Sequence, residues 1–220
     1  MPDIPPPLLI PALGLPEGAP LDAGAAALEA ASAATRLACV NWPAYPDRPD
    51  VAFRAGHTGS ELWLTFDVRE ARVRALETRT HGAVYQDSCV ECFIAFGDAS
   101  YYNLELNCIG TAYLAYGAGR EGRRLVPLPL MERLAVRASL GAEPFGERAG
   151  GFAWSLTARV PAACFAFDAL AGGLGGRAAR ANFYACNGGV SVRHYVTWRP
   201  VQTPAPDFHR PEFFGGVRFE

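Results

Sequence analysis

Along most of the chain, apolar and polar side chains alternate with a period of two, the period of a strand with one face in a core. ELWLTFDV (61–68) places Leu62, Leu64, Phe66 and Val68 on one face. RLAVRASL (133–140) and GFAWSLTARV (151–160) repeat the pattern, the second with Phe152, Trp154, Leu156, Ala158 and Val160. SCVECFIAF (88–96) is apolar on both faces apart from Ser88 and Glu91, as a central strand would be. YYNLELNC (101–108) follows it after the turn GDAS. TAYLAY (111–116), ARANFYACN (179–187), RHYVTW (193–198) and GVRF (216–219) complete the set. Roughly nine or ten strands with frequent turn signals and no βαβ rhythm predict an all-β protein, an antiparallel β-sandwich with short helical turns. One such turn is expected in PAACFAFDAL (161–170). Residues 1–37 read as a Pro- and Ala-rich lead-in packed on the domain, with a short helix over 22–34, and residues 38–220 as the sandwich.

YYNLELNC departs from an ordinary strand. Tyr102, Leu104, Leu106 and Cys108 share one face; Tyr101, Asn103, Glu105 and Asn107 share the other. Asn is depleted in strands, so two of them flanking a carboxylate point to a face that binds something. Glu91 likewise interrupts the most apolar strand. A buried carboxylate costs several kcal/mol without partners, so Glu91 needs an ion pair, with Arg180 or Arg193 as the plain candidates, or a ligand.

Composition narrows the function. The net charge of −2 over 220 residues, with no basic run, argues against nucleic acid and anionic membranes. All 20 cationic residues are Arg, and the absence of Lys excludes Schiff-base chemistry and a Walker-type phosphate loop. The four histidines show no metal-ligand spacing, and no G-x-S-x-G nucleophile elbow occurs. Cys89 and Cys92 form a C-x-x-C, but three residues apart in a strand they face opposite sides, so buried free thiols are expected and not a zinc site. Free thiols favour a reducing compartment, hence the cytoplasm. MPDIPPPLLIPALGLP lacks a cationic start and is broken by prolines, so no signal peptide is expected; no apolar run is long enough for a membrane span.

Aromatic residues recur beside polar groups and turns, among them Tyr85, Tyr113, Tyr184, Tyr195 and Phe208. Sugars are recognised by rings against their C–H faces and by planar polar groups at their hydroxyls, and a face of Asn103, Glu105 and Asn107 bordered by aromatics supplies both. A carboxylate pair, Glu91 and Glu105, also fits a general acid and base acting on a glycosidic bond. A sandwich with a decayed site and a purely structural role is the third reading.

Three segments carry a family resemblance: VYQDSCVECFI (84–94), YYNLELNCIGT (101–111) and VTWRPVQTPAPDFHRPEFFGGVRF (196–219). Together they resemble carbohydrate-binding module family 9 and its DOMON-like relatives. The resemblance implies a β-sandwich that serves bacterial polysaccharide use as a saccharide-binding protein and not as an enzyme. It implies a sugar clamped between two rings, here Tyr85 and Phe208, above polar residues Glu91, Glu105 and Asn107, with further contributions at Tyr184 and Arg193. Sugar-binding members have Trp at both ring positions, where this chain has Tyr and Phe, and Glu105 stands where they have a cation. The resemblance implies no obligatory cofactor; some members hold structural calcium, and this chain has no Asp-rich loop in which to place one.

Overall fold

The structure, a computed structural model, describes residues 5–170 and 172–220. Strands β1 (Leu8–Ile10), β2 (Thr35–Arg36), β3 (Cys39–Val40), β4 (Asp50–His57) and β5 (Glu61–Ala75) come first, with helix α1 (Leu21–Ala31) between β1 and β2. The middle of the chain forms β6 (Cys89–Ala95), β7 (Tyr101–Asn107), β8 (Ala112–Gly117), β9 (Arg124–Leu125) and a one-turn helix, α2 (Leu128–Met131). β10 (Ala135–Ala138), β11 (Phe145–Pro161), β12 (Ala178–Cys186), β13 (Tyr195–Thr197) and β14 (Gly215–Phe219) complete it.

These strands form the expected β-sandwich. One sheet has nine strands in the order β1-β14-β12-β6-β7-β8-β9, with β13 beside β12 and β3 beside β13. The other has five, in the order β10-β11-β5-β4-β2. All pairings are antiparallel except β1 with β14. The face of β5 predicted to be apolar is buried: Leu62, Leu64, Phe66 and Val68 face the other sheet. The two layers touch where Phe53 of β4 stacks on Phe183 of β12, ring centroids 3.8 Å apart. β5 and β11 run together for most of their length, and the register slips between Ala149 and Phe152. Gly150 (φ 141°) and Gly151 (φ 86°) take up the slip in conformations that a side chain would strain.

Residues 8–36 do more than pack on the sandwich. They give β1 to an edge of the large sheet and β2 to an edge of the small one. The expected helix starts one residue earlier, at Leu21, and stops at Ala31. No helix among the described residues is long and apolar enough to cross a membrane.

Every residue of β6 and β7 is buried, although only one face of their sheet meets the other sheet. Val90, Cys92, Ile94, Tyr102, Leu104 and Leu106 belong to the inter-sheet core. Cys89, Phe93, Tyr101, Tyr184 and Cys186 belong to a second cluster on the opposite side, roofed by Trp42, Val84, Val201, Phe208 and Phe214 from loops. That loop-covered outer face carries the polar residues of β6 and β7.

Candidate functional site

The outer face of the large sheet forms the floor of a cavity of about 610 Å³, within the range of about 300–1,000 Å³ usual for small-ligand sites. The floor is built in register. Glu91 of β6 lies opposite Glu105 of β7 and, on its other side, opposite Tyr184 of β12. Phe93 lies opposite Asn103, Tyr113 of β8 opposite Glu105, and Cys89 opposite Cys186. The walls come from loops remote in sequence: His81 to Tyr85 before β6, Arg120 and Arg123 after β8, Arg193 and Tyr195 around β13, and Pro206 to His209 before β14. Arg120 Nη2 donates to Asp207 Oδ1 at 2.8 Å, joining two of these loops across the rim.

Six of the eight expected site residues line this cavity: Tyr85, Glu91, Asn103, Glu105, Arg193 and Phe208. They differ in how open they are. Tyr85, on a single 3-10 turn (Val84–Gln86), is 51% exposed, whereas Phe208 is 8% exposed and stacks on Tyr184 at 4.2 Å and 15°. The remaining two are corrections. Tyr184 is fully buried beneath Phe208, with its hydroxyl donating to the Phe208 carbonyl at 3.2 Å. Asn107 is also fully buried, and all its bonding goes to the fold. Its Nδ2 donates to the Glu77 carbonyl (2.8 Å) and Asp87 Oδ2 (3.0 Å), and its Oδ1 accepts from the Thr111 amide (2.8 Å). Asp87 in turn accepts the Leu76 and Glu77 amides, so Asn107 anchors the loop that presents Tyr85.

Arg123 is not legible as a site residue in the sequence, since it lies in the polar stretch REGRR with no periodicity to mark it. It donates to Asn103 Oδ1 (2.8 Å) and to the carbonyls of Tyr101 (2.8 Å) and Gly119 (2.6 Å), with its guanidinium 4.4 Å from the Tyr101 ring centroid. Asn103 Nδ2 then donates to Glu105 Oε1 at 2.8 Å, so a chain of charge and amide orients the carboxyl. Burial still pushes Glu105 up to about 7, against lowering by the Asn103 bond and the Arg123 and Arg120 charges. Burial raises Glu91 well above the carboxylate range too, reinforced by Cys186 and Glu105. Burial, with Arg123 and Arg120, holds His209 down to about 3, and its Nδ1 lies 2.7 Å from the Tyr101 hydroxyl.

Neither arginine considered as a partner for Glu91 forms an ion pair with it: Arg180 donates to the Pro211 carbonyl at 3.1 Å, and Arg193 stands at the cavity wall. Glu91 Oε1 instead accepts from the Cys186 thiol at 3.2 Å. Among the described residues no protein hydrogen bond occupies Oε2 of Glu91 or Glu105. Two carboxyl groups whose hold on a proton burial strengthens, each with an oxygen outside the protein's own hydrogen bonds, can donate to hydroxyls when protonated and accept from them in either state.

The C-x-x-C splits as its spacing predicted, Cys89 on the cavity side and Cys92 in the inter-sheet core. The one convergent group of side-chain metal ligands among the described residues is Cys89, Glu91 and Cys186. Calcium takes six to eight oxygen ligands, and two thiols do not suit it. The residues gathered here do not fit the calcium that some family members hold.

The sequence matches the model of carbohydrate-binding family 9 over residues 23–219. No curated protein matches it. A candidate carbohydrate-binding protein from Bacteroides uniformis has a crystal structure with a TM-score of 0.92 and 35% identity, over 97% of this chain and 98% of that one. A family 9 carbohydrate-binding module from Caldicellulosiruptor kristjanssonii in complex with glucose matches at a TM-score of 0.60 and 10% identity, over 98% and 96% of the two chains. The same organism's family 9 module in complex with cellotriose matches at 0.62 and 10%, over 98% and 94%. The latter two likenesses speak for the fold, and the first joins the sequence match in speaking for the lineage. This chain belongs to carbohydrate-binding family 9.

Proposed function

We propose that the protein binds a saccharide in the cavity above β6 and β7, with Tyr85 as the platform for a sugar face and Glu91, Glu105 and Asn103 as partners of its hydroxyls. The observation that carries this reading is the half-exposed Tyr85 ring at the rim of a cavity whose buried floor keeps unoccupied carboxyl oxygens. An exposed ring beside water loses little by turning its face to a sugar, and buried carboxyls reward hydroxyls placed within reach. Phe208 acts as a wall fixed by Tyr184 and not as a second mobile jaw. The glucose and cellotriose bound by the Caldicellulosiruptor modules support a β-glucoside as the first ligand to try.

The test is a thermal-shift screen of mono- and oligosaccharides at millimolar concentration, because a ligand that binds only the native state stabilises it by RT ln(1 + [L]/Kd). A hit should lose about tenfold or more in affinity in Tyr85→Ala, by calorimetry, with little change in melting temperature of the free protein. Full affinity in that variant would sink the assignment.

One observation favours a catalytic reading. Glu91 and Glu105 face each other across neighbouring strands, and a carboxyl at about 7 suits a general acid at neutral pH. Product release from aryl glycosides by the native chain, abolished in Glu105→Gln, would replace binding with turnover.

A further inference from the structure

Beneath the cavity, two thiols and a carboxyl meet on one face of the large sheet. Cys89 and Glu91 are two residues apart on β6 and so point the same way, and Cys186 of β12 lies directly opposite Cys89. The nearest ligand atoms of the three all lie within 4.8 Å of one another, and none of the three residues is more than 3% exposed. Glu91 and Cys186 line the cavity itself. The Arg120 charge acts on Glu91 only from a distance, with no ion pair between them. Among the described residues no Arg or His pairs with Glu91, and its hydrogen-bond partner is a thiol, a weak donor. A buried carboxyl served only in this way is under-satisfied, and it is aimed at two sulfur atoms.

We propose that Cys89, Cys186 and Glu91 form a binding site for one thiophilic divalent cation of the zinc class, with its fourth coordination position open to the cavity. Zn–S bonds of about 2.3 Å and Zn–O bonds of about 2.0–2.2 Å put tetrahedral ligand atoms roughly 3.5–3.8 Å apart. The cluster reaches that spacing by closing about 1.3 Å at most, and Cys186 Sγ and Glu91 Oε1, at 3.2 Å, need open by only a few tenths of an ångström. Sulfur excludes calcium and magnesium, and three protein ligands with one open position is the arrangement of zinc sites that exchange a ligand. Binding forms two S–metal bonds and one O–metal bond, and the two thiol protons, with the carboxyl proton where Glu91 holds one, leave to buffer with no change of oxidation state. The fourth position takes water or a hydroxyl of the cavity's ligand. The site goes beyond the saccharide reading and does not depend on it.

The experiment is anaerobic titration of the full chain with Co²⁺, the thiols kept reduced by a phosphine, followed by displacement with Zn²⁺. The expected result is a thiolate-to-cobalt charge-transfer band that saturates at one equivalent and disappears on adding zinc. Cys89→Ser and Cys186→Ser should each weaken cobalt binding by about 100-fold or more, beyond the loss usual for an outer-shell change. Cys39→Ser, a half-buried thiol on β3 outside the cluster, should leave it unchanged. No charge-transfer band in the reduced native chain would overturn the site, whatever the variants do. A band that survives both cluster variants, or that vanishes in Cys39→Ser, would overturn it equally. Saccharide melting shifts measured without metal report on the other reading separately.

Discussion

At the scale of single residues, the two rings expected to act alike are different objects. Tyr85 projects from a one-turn helix with half its surface in solvent, while Phe208 is buried between Tyr184 and Trp42, centroids 4.2 Å and 6.0 Å away. Truncating Phe208 therefore opens a cavity in the outer cluster. Phe208→Ala should destabilise the protein by about 3–5 kcal/mol, the usual cost of removing a buried Phe. Its loss of saccharide affinity should be accompanied by a lowered urea midpoint, which Tyr85→Ala should not show. An unchanged midpoint in Phe208→Ala would mean that the ring is not packed as described. Period-two alternation in YYNLELNC correctly sorted Asn103, Glu105 and Asn107 onto the non-core face. It could not say which of them the loops would claim: Asn107 is consumed by Asp87 and Glu77, from a segment twenty or more residues away in sequence. Arg123 and Tyr195 reach the cavity through loops and strands brought in from elsewhere in the chain, which no local pattern encodes, whereas Tyr113 arrives on the neighbouring strand of the β7–β8 hairpin.

At the scale of elements, legibility follows side-chain contrast. β5, β6, β7, β11 and β12 were readable because large apolar residues alternate or run together in them. β4 is not legible in the sequence: DVAFRAGH offers only Val51 and Phe53 as large apolar residues, with Ala55, Gly56 and His57 at the other buried places. Its partners on both sides make it a strand. Helix α1 is the converse, a weak propensity signal stabilised by docking. Gly24 lies in its first half against the buried Trp63 ring, so near that a Cβ there would overlap it. Gly24→Ala should gain up to about 1 kcal/mol of helix propensity and lose roughly 1–3 kcal/mol to overpacking, for a net fall in melting temperature. Combining it with Trp63→Phe should recover part of the fall, a coupling that a double-mutant cycle measures. Saccharide affinity should not change, because α1 packs on the small sheet, away from the cavity. If Gly24→Ala raises the melting temperature, the helix is not docked this tightly.

For the whole molecule, the titratable groups whose proton affinity the fold shifts set how stability varies with pH, and they act in opposite directions. Hydrogen bonds from Arg79 hold Glu77 down to about 2 from 4.5, so its contribution is complete above about 4.5 and lost as pH falls toward 2. His209, held down to about 3 from 6.5, refuses a proton that the unfolded chain accepts; its contribution is complete above about 6.5 and lost as pH falls through that window. Glu105 works the other way. Raised from 4.5 to about 7, it keeps a proton that the unfolded chain releases, so stability declines as pH rises from about 4.5 to about 7. Glu91 and Glu70, raised by burial, add to that decline. The sum rises to about pH 4.5, declines gently to about 6.5 while His209 opposes the three glutamates, and then falls more steeply. Melting temperatures measured from about pH 3 to about pH 9 should therefore peak on the acid side of neutrality. Glu105→Gln should stabilise the protein at pH 8 by roughly 1–3 kcal/mol and move the peak upward, because the amide still accepts from Asn103 but carries no charge to bury. His209→Gln should instead flatten the acid limb. A native protein whose melting temperature climbs steadily to pH 8 would show that Glu105 is not buried as an acid in the cavity floor, and the polar floor on which saccharide recognition depends would have to be redrawn.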